Sequence, residues 1–212
     1  MDTKSPATRR GRRSQADAAL AVVETRAILV RIGMEMLTEQ GFSATGLDAI
    51  LKRATVPKGS FYHYFKNKED FGLQVMQAYD EYFRRKLDRW LLDDGVDPLR
   101  RIFNFVDDAK LGMARHGFSR GCLIGNFGQE VGTLPPAYRG YMNEILQAWE
   151  AKVAACFALA RDAGQIRKDA DCAALARFFW IGWEGAVLRA RMMREPGPLD
   201  IFIQGFVNGV TP

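Results

Sequence analysis

Three cysteines, two histidines and one isolated acid carry most of the chain's potential chemistry. Cys122, Cys156 and Cys172 are odd in number and far apart, and no Cys-x-x-Cys occurs. That usage predicts reduced thiols in a cytoplasmic protein rather than disulfides or a zinc site. Cys122 is the informative one. It follows Arg120 and Gly121 at the predicted start of a short helix. A helix N-terminus or a cation lowers a thiol's pKa and makes it nucleophilic. Asn126, Gln129 and Glu130 follow at offsets of four, seven and eight, so all four residues share one helical face. Two readings fit that face. In one, it is a polar patch pointing into a pocket. In the other, it is a helix cap, surface amides and an inert buried thiol. Glu184 stands between Trp183 and Gly185 in an otherwise apolar stretch. There a carboxyl needs a cationic partner or a proton, as a structural ion pair or as a pocket group. His63 and His116 belong to no ligand-spaced cluster, and no Ser/His/Asp order, phosphate loop or paired acids occur. These observations predict no metal, no cofactor and no catalysis.

A second set of residues suits contact with nucleic acid. The chain carries a net charge of +5, and Lys4, Arg9, Arg10, Arg12 and Arg13 crowd its start. Arg10, Arg12 and Arg13 suit a minor-groove or phosphate-contacting arm, although a solvated tail has the same composition. Residues 58–65 read KGSFYHYF. Lys58, Gly59 and Ser60 are small or polar, as a close approach to base edges requires. Phe61 and Phe65, four apart, suit an inward face. Tyr62, His63 and Tyr64 are then left for phosphate oxygens. Lys68 adds a charge in the first turn of the next helix.

The elements that must position these residues read as helices throughout. Leu29, Ile32, Met36 and Leu37 have helical spacing within residues 25–40, and Gly41 suits a left-handed stop. Thr45 reads as the N-cap of the next helix, with Asp48 three residues on. TVPK makes the tight turn, and Pro57 suits the first turn of a new short helix. Asn67 caps a long amphipathic helix over 67–92. Further helices are expected at 98–115, 122–131, 137–163, 171–194 and 198–209. The alanine-rich ADAALAVVE has the composition to extend the first helix toward the N-terminus. No run of apolar residues is long enough to span a membrane.

The segment GLDAILKRATVPKGSFYHYFKNKEDF resembles the DNA-binding signature of the TetR family of transcriptional regulators. Matching positions include Thr45, Ile50, Val56, Gly59, Tyr62, Tyr64, Phe65, Lys68 and Phe71. Tyr64 stands where that family often has His, and Pro57 where it often has Ser. The segments MARHGFSRGCLIGNFGQEVGTLP and FWIGWEGAVLRAR extend the resemblance to the family's AcuR-type, acrylate-responsive branch. The resemblance implies an all-α fold: a basic arm at 1–24, a three-helix DNA-binding domain with a helix-turn-helix at 25–66, and a larger ligand-binding and dimerisation domain at 67–212. It implies a homodimer on double-stranded operator DNA, held by a four-helix bundle from the two long C-terminal helices. Those helices carry Ile145, Val153, Phe157, Phe178, Phe179, Trp180 and Ile181, more apolar residues than one buried face needs.

For the effector, the candidate ligand-binding residues are Tyr79, Phe83, Arg120, Cys122, Asn126, Gln129, Glu130, Trp180, Trp183 and Glu184. Tyr79, Tyr82, Phe83, Trp180 and Trp183 serve equally as plain core residues. Arg120, Arg189 and Arg191 are candidates to hold an effector's carboxylate. Two rival functions make different demands. An architectural DNA-binding protein requires a filled core, and a helical enzyme requires acids and bases converging in a cleft.

Overall fold

The computed structural model describes residues 15–211. They form eight α-helices and one 3₁₀ turn, with no strand among the described residues: α1 (Gln15–Gln40), α2 (Leu47–Ala54), the 3₁₀ turn (Lys58–His63), α3 (Lys68–Leu91), α4 (Pro98–Ala114), α5 (Leu123–Gln129), α6 (Pro136–Asp162), α7 (Cys172–Met193) and α8 (Gly197–Val210). Arg10, Arg12 and Arg13 lie outside the described residues.

The stop and start signals act as their chemistry dictates. Gly41 ends α1 at φ 82°, and its N–H donates to Leu37 O at 2.9 Å. That left-handed conformation suits glycine, which has no Cβ to clash. Asn67 caps α3 by accepting from the Asp70 N–H at 2.7 Å, while Asp70 Oδ2 accepts from the Lys66 N–H. Asp171 caps α7 by accepting from Ala173 and Ala174 N–H groups. Pro98 and Pro136 open α4 and α6, where a missing N–H costs no helical bond.

One expectation holds and two need correction. The alanine-rich segment does extend the first helix, back to Gln15, through helix propensity without burial; Leu20 and Val23 stay exposed. Thr45 caps nothing. Gly46 occupies the N-cap without a side-chain bond, while Thr45 is fully buried and donates its hydroxyl to Gly41 O at 2.6 Å. The segment after TVPK is a 3₁₀ turn ending at His63, and a left-handed Thr55 precedes it.

α1, α2 and the 3₁₀ turn pack as one unit on the start of α3, through Leu37, Ile50, Phe61, Phe65 and Phe71. Phe65 and Phe71 meet edge to face at 4.8 Å. The long α3 continues into the second half, where α4, α6 and α7 surround Trp149. Phe83 lies 4.2 Å and Trp180 5.4 Å from that ring, and the Trp149 N–H donates to Asp80 Oδ1 at 2.8 Å. Arg101 is buried but fully used: it donates to Leu91 O and Val96 O, closing the turn between α3 and α4. Ile145, Val153, Phe157, Phe179 and Trp180 all belong to this core, so of the seven apolar residues assigned to a dimer face only Phe178 and Ile181 stay exposed.

Phe179→Ala is expected to lower unfolding stability by about 3–5 kcal/mol, the cost of emptying a packed aromatic site. Asp80→Ala, which strands the buried Trp149 N–H, is expected to cost about 1–3 kcal/mol. Urea denaturation followed by tryptophan fluorescence reads both.

Candidate nucleic-acid interface and the cavity behind it

The 3₁₀ turn presents one face outward and one inward. Phe61 is fully buried and Phe65 nearly so, and this anchors the turn. Lys58, Gly59, Tyr62 and His63 are exposed, with Tyr62 at 68%; Ser60 and Tyr64 are half-buried. Lys58 makes only an exposed pair with Asp48 at 2.9 Å, worth little and easily exchanged for a phosphate. Two residues assigned to this surface are turned away from it. Thr45 is buried, as above. Lys68 donates to Phe42 O at 2.8 Å and lies over the Phe42 ring, with burial pulling its pKa down. Both brace the α1–α2 corner.

Behind this unit lies a cavity of about 290 Å³ between α1, α3, α4 and α7. Tyr79, Tyr82, Phe83, Cys122 and Trp183 give it an aromatic and thiol wall, and Lys86, Arg115, His116 and Arg120 give it cationic and polar ground. Five of the ten candidate ligand residues are thus brought together: Tyr79, Phe83, Arg120, Cys122 and Trp183. Tyr82 and Lys86 complete the α3 face at helical spacing from Tyr79, a signal the sequence offered. Met113, Arg115 and His116 arrive from the end of α4, which no spacing rule connects to α3.

The other candidates are placed elsewhere. Trp180 is stacked into the core beside Phe83 and Trp149. Gln129 is exposed and bonded to its own helix at Gly125 O. Asn126 is buried against α1: its amide N–H donates to Thr38 O at 2.7 Å, and its Oδ1 accepts from Arg191. Glu130 accepts from the Phe42 and Ser43 N–H groups at 2.9 and 2.7 Å. These two are structural ties to the first helical unit, not cavity groups. Of the arginines, two are likewise committed and the third lies elsewhere. Arg120 pairs with Glu39 at 2.7 Å and Glu35 at 3.5 Å, Arg191 donates to Glu39 O at 2.9 Å, and Arg189 is exposed beside a different groove.

The local environment of Cys122 also departs from expectation. It is the N-cap of α5, and its Sγ accepts from the Gly125 N–H at 3.5 Å. Among the described residues no cation activates it. Burial and the neighbouring Glu184 push its thiol well above the ordinary range. Tyr79 is raised as well, mainly by burial, with Cys122 and Glu184 beside it. Glu184 is next to Cys122, and desolvation pushes its carboxyl up to about 7. Its Oε1 has no hydrogen-bond partner. Among the described residues no cluster of His, Cys, Asp and Glu has the makings of a metal site, and no helix is long and apolar enough to cross a membrane.

A carboxyl raised from 4.5 to about 7 in the fold binds its proton more tightly there than in the unfolded chain. Stability is therefore highest below pH 4.5 for this group and falls as pH rises to about 7, by on the order of 3 kcal/mol. Glu184→Gln is expected to remove that fall and to stabilise the protein at pH 8. Chemical denaturation across this range, wild type against variant, measures it.

Comparisons with known proteins agree with this architecture. Residues 29–75 match the model for bacterial regulatory proteins of the tetR family, and residues 98–206 match the tetracyclin repressor-like C-terminal domain. The chain is 51% identical over 199 residues to the transcriptional regulator AcuR of Cereibacter sphaeroides, covering 93% of this chain and 89% of that one. It is 34% identical over 193 residues to the HTH-type transcriptional repressor DhaR of a Mycobacterium species, covering 91% of this chain and 96% of that one. The crystal structure of regulatory protein TetR from Rhodobacter sphaeroides superposes with a TM-score of 0.87 at 50% identity, covering 88% of this chain and 99% of that chain. The reduced form of Escherichia coli NemR superposes at 0.81 with 28% identity, covering 89% of this chain and 98% of that chain. The helix-turn-helix unit, the helical second half and these matches agree: the chain belongs to the TetR family of bacterial transcriptional regulators.

Proposed function

We propose that this regulator is a cytoplasmic, ligand-released repressor that grips a palindromic operator as a homodimer. The reading rests on one arrangement. Cys122, in the cavity wall, is the first residue of the α5 segment, and the same segment ties down α1 through Asn126 and the turn that follows it through Glu130. A molecule that displaces the cavity wall therefore disturbs the seat of the DNA-binding unit. An architectural protein has no use for that cavity.

The exposed set Lys58, Gly59, Tyr62 and His63, with Ser60 and Tyr64 at its edge, contacts the duplex. Arg10, Arg12 and Arg13 reach the adjacent groove. Phe178, Ile181 and Met192 stay exposed along α7, and Ala151, Ala155 and Leu159 along α6. These two stripes meet their copies across a two-fold axis in a four-helix bundle. The effector is a small α,β-unsaturated acid such as acrylate. Its unsaturated end faces Cys122, and its carboxylate faces Arg115, an exposed cation lining the cavity. The resemblance to acrylate-responsive regulators supplies the ligand class. Light, reversible occupancy and modification of Cys122 both fit the cavity; the wall position of Cys122 favours the second.

Operator affinity is expected to fall steeply with salt, as phosphate contacts release counterions. Lys58→Ala with Tyr62→Phe is expected to weaken binding roughly tenfold or more without unfolding; unchanged affinity by fluorescence anisotropy refutes the placement of the recognition turn. Light scattering is expected to report a dimer at micromolar concentration and a monomer for Ile181→Asp. Saturating acrylate is expected to release the duplex; a duplex that stays bound removes this effector.

A further inference from the structure

Three titratable groups from three different helical segments converge at the cavity wall, Tyr79 and Cys122 buried and Glu184 half-buried. Tyr79 comes from α3, Cys122 from the N-cap of α5 and Glu184 from α7. Glu184 approaches through a gap that Gly125 leaves open. A Cβ at Gly125 would run into Glu184 Oε2 and touch Cys122 Cβ at 3.6 Å. Carboxyl and thiol thus flank the same backbone atom. Cys122 faces the cavity, whereas Glu184 does not line it and sits behind the thiol. Glu184 Oε1 has no accessible surface and no hydrogen-bond partner, so the fold spends nothing on that oxygen. A buried polar atom without a partner is costly, and a structural role leaves this one unexplained.

We propose that Glu184 is the proton acceptor that lets Cys122 add to an activated alkene. As Sγ bonds to the terminal carbon, the thiol proton passes to Glu184; the α-carbon takes a proton from cavity water, and Glu184 later releases its own to solvent. The S–H and C=C π bonds break, and the S–C and C–H bonds form. No oxidant, reductant or second substrate takes part. The idea rests on the reading that an electrophile enters this cavity. It answers a difficulty that reading leaves: a thiol raised well above its ordinary range holds little thiolate at neutral pH. A base beside the thiol removes the need for a standing thiolate.

The pH dependence carries a distinct signature. Glu184 accepts a proton only when ionised, so adduct formation rises as pH passes about 7. The other charged or titratable groups around the cavity are Glu35, Tyr82, Lys86, Arg115, His116 and Arg120. A Glu184 variant leaves all of them in place.

The test is the rate of adduct formation at Cys122 with acrylamide, an uncharged probe, followed by intact mass and peptide mapping across neutral pH. Cys156 and Cys172 report in the same spectra as internal controls. Wild type is expected to show a step near pH 7 at Cys122. Glu184→Gln is expected to react roughly a hundredfold more slowly above that pH, with no step, while circular dichroism and operator binding report an intact fold. Glu184→Gln reacting at the wild-type rate, or keeping the step, overturns the proposal. So does a wild type that forms no Cys122 adduct or shows no step near 7, and this decides the matter even if the variant fails to fold. Acrylate that releases the operator without an adduct leaves the repressor reading intact and removes the role of Glu184. A Glu184-dependent adduct that leaves the operator bound does the reverse.

Discussion

The last turn of α1 cannot satisfy its own carbonyl groups, and the side chains that do so come from elsewhere in the fold. Asn126 bonds Thr38 O and Arg191 bonds Glu39 O. Beyond the helix, Glu130 accepts from Phe42 and Ser43. Around this corner Arg120 holds Glu35 and Glu39, and Lys68 holds Phe42 O. The orientation of the helix-turn-helix unit is thus set by groups on α5, α7 and the loop before α5. Hydrogen bonds involving a charged group contribute about 1.5–3 kcal/mol each. The coupling energy between an effector site and a binding site is typically about 1–3 kcal/mol. Loss of one or two of these ties is therefore enough to shift the unit.

That arrangement gives α5 its importance. The helix has only seven residues, yet it begins at the cavity and ends at the α1–α2 corner. Cys122 and Glu130 are separated by about 12 Å of helix rise. Over that distance a short helix moves as a rigid rod, so a displacement at one end is felt at the other. Phe127 is fully buried and stacked with Tyr138, and it also meets Phe42 edge to face. Such packing favours two discrete seats for the helix over gradual bending.

Local signals were legible in the sequence, and long-range ones were not. The Asn67 cap, the left-handed Gly41, the proline starts and the inward Phe61 and Phe65 each depend on neighbours a few residues away. The recognition segment reads as a short helix, but six residues scarcely separate a period of 3.0 from one of 3.6, so its 3₁₀ winding is not legible. Cys122, Asn126 and Glu130 were correctly set on one helix, but nothing in the chain said that Asn126 and Glu130 would meet α1 rather than a ligand. Arg120 was read beside Cys122 by proximity in sequence, whereas two glutamates eighty-odd residues earlier claim it. The surplus of apolar residues on α6 and α7 was taken for an interface. Most of it is buried within one protomer, since α6 packs against α3, α4 and α7 together. The orphan oxygen of Glu184 had no local signal beyond its apolar setting, because the gap at Gly125 that admits it belongs to another helix.

Backbone amide hydrogen exchange at Phe42 and Ser43, measured with and without saturating acrylate, tests the coupling between cavity and DNA-binding unit most directly. Both N–H groups are held by Glu130, the far end of the segment that begins at Cys122. The account predicts faster exchange at these two amides when the cavity is filled, with protection in the cores of α6 and α7 unchanged. Operator release with unchanged protection at Phe42 and Ser43 would contradict it.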